Sequence, residues 1–133
     1  MIVPVVVVED SLTQRAALLQ VLGDEGFRVL AELTTEAEAK QWLACHAQDW
    51  GLAVIDLILQ QGTGMRLIRQ CRADSPFGTI VVLSNYVTPG IREHCLRLGA
   101  HAVFQKADEF PAFVRFCREL AQRAAAGGRW GHA

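Results

Sequence analysis

Five short apolar runs alternate along the chain with segments whose apolar residues recur at helical spacing. Consecutive aliphatic residues over so short a length indicate strands that are buried on both faces, as in a parallel sheet. Five strand–helix units in succession predict an α/β domain in which helices cover both faces of that sheet. The predicted strands are Val5–Val8, Val29–Leu33, Leu52–Asp56, Ile80–Ser84 and Ala102–Phe104.

The segments between the strands carry residues that favour the start of a helix. Ser11 and Gln14 have the spacing of a capping box, and Thr88 precedes a proline at the first helical position. The five helices are predicted to start at or just after Ser11, Thr35, Gly64, Thr88 and Asp108. In the first helix, the apolar residues that recur at helical intervals are Leu12, Ala16, Leu19 and Leu22.

Length and charge narrow the function without identifying it. The 133 residues fit one domain. After about Ala126 the chain turns polar and glycine-rich, so we predict a domain over residues 1–126 and a flexible tail over residues 127–133. The net charge of −1 gives no electrostatic basis for binding nucleic acid or an anionic membrane. No apolar stretch approaches the roughly 20 residues that cross a bilayer.

The compartment follows from the start of the sequence and from the cysteines. The first residues lack the basic and apolar regions of a signal peptide, which predicts a cytoplasmic protein. The four cysteines form no C-x-x-C pair and are expected to be buried, reduced thiols. They are Cys45, Cys71, Cys95 and Cys117.

Chemically active side chains follow four of the five predicted strands. Glu9 and Asp10 follow the first strand, Asp56 closes the third, Ser84 closes the fourth and Lys106 follows the fifth. The carboxyl ends of parallel strands share one edge of the sheet, so these groups are expected to meet there. Two unit charges about 4 Å apart repel by about 4 kcal/mol at an effective dielectric of 20, so the acids require a positive partner. Hard oxygen ligands suit Mg²⁺, and a nearby hydroxyl and ammonium suit a phosphoryl group.

This arrangement resembles the receiver domain of bacterial two-component response regulators over nearly the whole chain. The resemblance implies a flavodoxin-like, doubly wound sheet of five parallel strands in the order 2-1-3-4-5, with five helices. It also implies a stand-alone, chemotaxis-type receiver that signals through protein contacts. The segments that carry the resemblance are Val7–Ser11, Val54–Asp56, Gln61–Gly64, Val82–Asn85 and Phe104–Lys106.

The resemblance also implies a role for each of these side chains. Asp56 would accept a phosphoryl group from a histidine kinase or a phosphotransfer protein and form an acyl phosphate. Lys106 would pair with one phosphoryl oxygen, and Ser84 would donate a hydrogen bond to another. The implied Mg²⁺ ligands are Glu9, Asp10, Asp56 and the backbone carbonyl of Ile58. Apart from its own phosphorylation and dephosphorylation, the protein is not expected to be an enzyme.

Four positions affect how such a switch would work. The family usually has a proline with a cis peptide bond where this chain has Ala107, and an aromatic switch residue where it has Val103. Ile58 and Tyr86 flank the expected phosphoryl group as bulky side chains, so we predict slow spontaneous dephosphorylation. The family's usual partner and homodimer surface, made by helix four, strand five and helix five, is the expected output face.

Two other classes of function compete with the switch. A degenerate receiver would be a protein-binding module that works without phosphorylation, as Val103 and Ala107 would allow. A phosphohydrolase with an aspartyl nucleophile would need a second aspartate two residues after Asp56, where this chain has Ile58. The sequence therefore favours the phosphorylation-dependent switch.

Overall fold

The strands and helices alternate without exception in the computed structural model, which describes residues 2–127. All five predicted strands and all five predicted helices are confirmed, with small changes at their ends. The elements are β1 (Pro4–Val8), α1 (Leu12–Asp24), β2 (Arg28–Leu33), α2 (Glu36–Cys45), β3 (Leu52–Ile55), α3 (Met65–Asp74), β4 (Thr79–Ser84), α4 (Pro89–Leu98), β5 (Ala102–Gln105) and α5 (Lys106–Ala126). No helix in the described part of the chain is both long and apolar enough to span a membrane.

The strands form one parallel sheet in the predicted order β2-β1-β3-β4-β5. Val8 pairs with Ile55, Ile55 pairs with Val82, and Ser84 pairs with Gln105. The carboxyl ends of the three central strands and of β5 therefore lie at one edge of the sheet. This register brings the residues that follow β1, β3 and β5 together.

Two apolar clusters, one on each face, explain why the central strands β1, β3 and β4 are buried at every position. Val6 and Val8 face a cluster that includes side chains of α2, α3 and α4, together with the fully buried Trp50. Val5 and Val7 face the other cluster, to which α1 and α5 contribute. The sequence of a strand that is covered on both faces does not alternate between apolar and polar residues, as expected for a doubly wound sheet.

The structure corrects three details of the sequence prediction. Leu12 is 74% exposed and Ala16 is exposed as well, whereas Leu18 is buried in the same helix. Helix α5 starts at Lys106 rather than Asp108, since the Glu109 carboxylate accepts the N–H of Gln105 (3.0 Å) and caps the helix earlier.

The third correction concerns the cysteines. Three of them are buried, and burial raises the pKa of the Cys71 and Cys117 thiols to about 12. Cys45 ends α2 and is exposed, contrary to the prediction. All four thiols are free. The tail predicted over residues 127–133 lies outside the described residues except for Gly127.

Candidate functional site

Three acidic side chains meet in an open cavity of about 470 Å³ at the carboxyl edge of the sheet. Carboxylate oxygens of Glu9, Asp10 and Asp56 lie within 4.8 Å of one another. Glu9 and Asp56 are 2% and 8% exposed, whereas Asp10 is half-buried. The three acids predicted from the strand ends therefore share one site.

Backbone hydrogen bonds that continue the sheet fix the two buried acids. The N–H of Glu9 donates to the carbonyl of Leu33 (2.9 Å), and the N–H of Asp56 donates to the carbonyl of Val8 (3.0 Å). Each acid is thus held by the strand beside its own. Because these bonds belong to the sheet ladder, the carboxylates rest on rigid structure rather than on a mobile loop.

Each carboxylate of the site also accepts a backbone N–H. Asp56 Oδ1 accepts the N–H of Ile58 (3.1 Å), and Glu9 Oε2 accepts that of Ser11 (3.1 Å). Asp10 Oδ2 accepts the N–H of Gln60 (2.5 Å). Such bonds orient the carboxylates and satisfy part of their hydrogen-bonding capacity in a partly buried site.

Lys106, the first residue of α5, lines a neighbouring cavity and brings a positive charge to the acids. Its Nζ lies 2.9 Å from Asp56 Oδ2 and also donates to Glu9 Oε1 and Gln14 Oε1. The Lys106 side chain is 12% exposed. The early start of α5 thus places the ammonium group between the two buried carboxylates.

Burial dominates the electrostatics of Glu9. Desolvation raises the pKa of its carboxyl above the ordinary value, although hydrogen bonds from Lys106 and Ser11 act in the opposite direction. Three carboxylates face one ammonium group, so negative charge is in excess when all of them are ionised. Because every donor is a hard oxygen, the set fits a small divalent cation such as Mg²⁺ or Ca²⁺.

Ser84 and Ile58 occupy different positions around the acids. Ser84 is fully buried at the end of β4, and its Oγ accepts the N–H of Tyr86 (3.4 Å). The cavity wall after β4 is formed by Asn85 and Tyr86. Ile58 also lines the cavity, two residues after Asp56. The structure therefore places Ile58 on the acidic cavity and Ser84 just before the residues of its wall, with the Ser84 hydroxyl turned toward the backbone.

An apolar rim surrounds the acidic cavity. Leu12, Ile58 and Tyr86 line its opening and are 74%, 53% and 64% exposed. Large apolar side chains at such exposure commonly mark a contact surface. Leu12 is the first residue of α1, and Ile58 lies in the loop after β3, so both rim the cavity without filling the core beneath it.

Gly64 and Gln14 are site residues that the sequence analysis did not assign. A Cβ on Gly64 would lie 2.0 Å from the carbonyl oxygen of Asp56, so this loop can pack on the acid only with glycine there. Gly62, in the same loop, has φ +100°, a conformation that glycine adopts readily. The sequence spacing indicates a capping role for Gln14, and only the fold brings it next to Lys106.

The two positions that depart from the receiver pattern have ordinary geometry. The Lys106–Ala107 peptide bond is trans, like the other peptide bonds of the described residues. Val103 is buried, and its carbonyl accepts a hydrogen bond from Arg92 of α4, which also pairs with Glu109 of α5 (2.5 Å). The bond from Arg92 lowers the pKa of the Glu109 carboxyl. Arg92 thereby ties α4 and α5 across the end of β5.

Known proteins that are similar to this chain share its fold. The family model described as the response regulator receiver domain matches residues 5–115. A response regulator from Burkholderia pseudomallei, solved with a phosphorylated aspartic acid, calcium ion and citrate, is 20% identical with a TM-score of 0.74, over 92% of this chain and 71% of that one. The CheX–CheY–BeF3–Mg²⁺ complex from Borrelia burgdorferi matches at 19% identity and a TM-score of 0.77, over 86% of each chain.

A third solved structure supports the same fold. The signal receiver domain of a DNA-binding response regulator from Colwellia psychrerythraea is 15% identical with a TM-score of 0.78, over 90% of this chain and 98% of that one. At these identities the structural similarity establishes the fold. No curated protein sequence is significantly similar to the chain.

Proposed function

This chain belongs to the response regulator receiver domains, and from that membership we propose that it is a phosphorylation-dependent signalling switch whose phosphoryl acceptor is Asp56. Receiver domains are signalling domains that interact with histidine kinases or phosphotransfer proteins. We take the phosphohistidine of such a protein as the phosphoryl donor for this chain.

The surroundings of the Asp56 carboxylate carry this proposal. One oxygen is 2.9 Å from the Lys106 ammonium, and the other is 3.1 Å from the N–H of Ile58. The carboxylate is held from both sides, yet it still lines an open cavity. A fixed carboxylate oxygen that can be reached from solvent is what a nucleophile for a bulky phosphoryl donor requires.

The proposed reaction moves one phosphoryl group. An oxygen of Asp56 attacks phosphorus, and a P–O bond forms while the P–N bond to the donor imidazole breaks. The electron pair of the P–N bond stays on the imidazole nitrogen, and the product on this chain is an acyl phosphate. Lys106 lies close enough to pair with a phosphoryl oxygen. The Ser84 hydroxyl would rotate away from the Tyr86 N–H to donate to another.

We further propose that the cation is Mg²⁺ and that Glu9, Asp10, Asp56 and the backbone carbonyl of Ile58 hold it. The close approach of three carboxylates and their all-oxygen chemistry support this assignment. When bound, the cation supplies positive charge to the transferring phosphoryl oxygens. The chain's own contribution is to orient the Asp56 oxygens and to hold the ammonium beside them.

We also propose that the face made by α4, β5 and α5 is the output surface, which contacts a downstream protein or a second copy of the chain. Two contacts support this part of the proposal. Arg92 joins α4 to α5, and Glu109 caps the helix that begins with Lys106. A shift of Lys106 toward a phosphoryl group would therefore act directly on the start of α5, without an aromatic side chain at Val103.

Intact-mass measurement with acetyl phosphate and Mg²⁺ tests the proposal. We expect the wild type and the control Asp49→Asn to gain the mass of one phosphoryl group, and Asp56→Asn to gain none. Asp49 is exposed and precedes β3, at the opposite edge of the sheet. Its substitution therefore removes the same charge as Asp56→Asn without altering the site. If the wild type gains no mass that depends on Asp56, the phosphorylation-independent binding module becomes the better explanation.

A further inference from the structure

Gln14 makes a contact that its place in the sequence does not predict. It is the third residue of α1, and its N–H donates to the Oγ of the capping residue Ser11 (3.3 Å). In a capping box its side chain would fold back to the N–H of Ser11. Glu9 Oε2 accepts that N–H instead. The Gln14 amide is therefore free to extend over the cavity, where its oxygen accepts a hydrogen bond from Lys106 Nζ.

The Lys106 ammonium group has three acceptors for its three donors. They are oxygens of Glu9, Asp56 and Gln14. The first two belong to carboxylates, which draw the ammonium toward the acid cluster. Gln14 is neutral and exposed, and it lines the cavity from α1. Its oxygen therefore competes with the carboxylates for the ammonium.

We propose that Gln14 is a positioning residue for phosphoryl transfer. Its amide oxygen shares the Lys106 ammonium with the two carboxylates, so that a phosphoryl group arriving at Asp56 replaces one carboxylate bond while the bond to Gln14 is kept. This inference rests on the proposed function, because it assigns Gln14 a role in that same reaction. Without this acceptor, Glu9 and Asp56 alone hold the ammonium, and it binds the attacking carboxylate more tightly.

Two substitutions at Gln14 show whether the side chain acts as a hydrogen-bond acceptor or only fills space. Gln14→Met keeps the length of the side chain and removes the oxygen, whereas Gln14→Glu keeps an oxygen at the same reach. The matched control is Gln20→Met, since Gln20 is also an exposed glutamine of α1 but contacts Asp24 instead of the site. At saturating acetyl phosphate and Mg²⁺, we expect Gln14→Met to lower the maximal rate of phosphorylation about tenfold.

Gln14→Glu should keep the maximal rate near that of the wild type, and any repulsion of the anionic donor should appear in KM alone. A second readout needs no phosphorylation. Hydrogen exchange of the Lys106 ammonium, followed by NMR without metal, should become faster in Gln14→Met and stay slow in Gln14→Glu. The thermal unfolding midpoints of Gln14→Met and Gln20→Met should agree.

The outcomes distinguish this inference from the function on which it rests. A wild type that shows no Asp56-dependent phosphorylation overturns the proposed function, and the role of Gln14 with it. A wild type that is phosphorylated while Gln14→Met matches Gln20→Met in rate and in ammonium exchange overturns the inference alone. Equal losses in Gln14→Met and Gln14→Glu also overturn it, because the acceptor oxygen would then be irrelevant.

Discussion

Replacing Asp10 with asparagine removes one negative charge from the acidic cavity and leaves the size of the side chain unchanged. The amide oxygen can still accept the N–H of Gln60 that Asp10 Oδ2 now accepts. The substitution therefore tests the charge itself. We expect Asp10→Asn to be more stable than the wild type without a divalent cation and less stable than the wild type with one.

The structure gives the size of this effect. Oxygens of Glu9 and Asp56 lie within 4.8 Å of an oxygen of Asp10, and at an effective dielectric of 20 a pair of unit charges at that distance repels by about 3 kcal/mol. The attraction of Lys106 and the half-exposed position of Asp10 reduce the net repulsion. We expect the free energy of unfolding to rise by about 1 kcal/mol in Asp10→Asn without metal.

Mg²⁺ should reverse the order of the two proteins. At a concentration one hundred times its Kd, a bound ligand stabilises the folded state by about 2.7 kcal/mol. The wild type should gain this amount, and Asp10→Asn should gain much less because a neutral amide replaces one carboxylate ligand. Urea unfolding followed by circular dichroism, with and without Mg²⁺, measures both free energies, and Asp49→Asn controls for the change in net charge.

Two results would refute this reasoning. If Asp10→Asn were less stable than the wild type without metal, the Asp10 carboxylate would not be under repulsion. If Mg²⁺ stabilised both proteins equally, Asp10 would not hold the cation. Either result would remove the electrostatic basis for the proposed cation site.

Two further predictions concern the rim and the loop of the site. Ile58 and Tyr86 are exposed around the cavity and should shield an acyl phosphate from water. The double variant Ile58→Asn, Tyr86→Ser should therefore lose its phosphoryl mass several-fold faster than the wild type. Leu96→Ser, which changes an exposed side chain of α4, is the control, and an equal rate in the double variant would contradict the shielding. Gly64→Ala should lower the free energy of unfolding by roughly 2 kcal/mol or more in urea, since its Cβ would collide with the Asp56 carbonyl. Gly23→Ala, which meets no atom within 4 Å in α1, should instead be neutral or stabilising by up to about 1 kcal/mol. A stable Gly64→Ala protein would contradict the close packing of this loop.

Much of this site could be predicted because it depends on where the strands end. Apolar runs that end on acids place Glu9 and Asp56 at the carboxyl edge of any parallel sheet, whatever the helices do. Lys106 could be placed at the same edge for the same reason. The sequence alone therefore predicts that the positions following strands β1, β3 and β5 come together.

The remaining details depend on side-chain choices that local patterns do not contain. Gln14 fits a capping box in the sequence, and it faces Lys106 because Glu9 accepts the N–H that Gln14 would otherwise bind. The early start of α5 depends on Glu109 reaching back to Gln105. Gly64 is required by the Asp56 carbonyl, a contact made only once the loop has folded over β3.

The most direct test of the central claim is to locate the phosphoryl group on the chain. After reaction with acetyl phosphate and Mg²⁺, borohydride reduces an aspartyl phosphate to homoserine, which peptide mass spectrometry identifies by position. We predict homoserine at position 56 alone, and none in Asp56→Asn. Homoserine at Asp10 or another acid, or none in the wild type, would contradict the assignment of Asp56 as the phosphoryl acceptor.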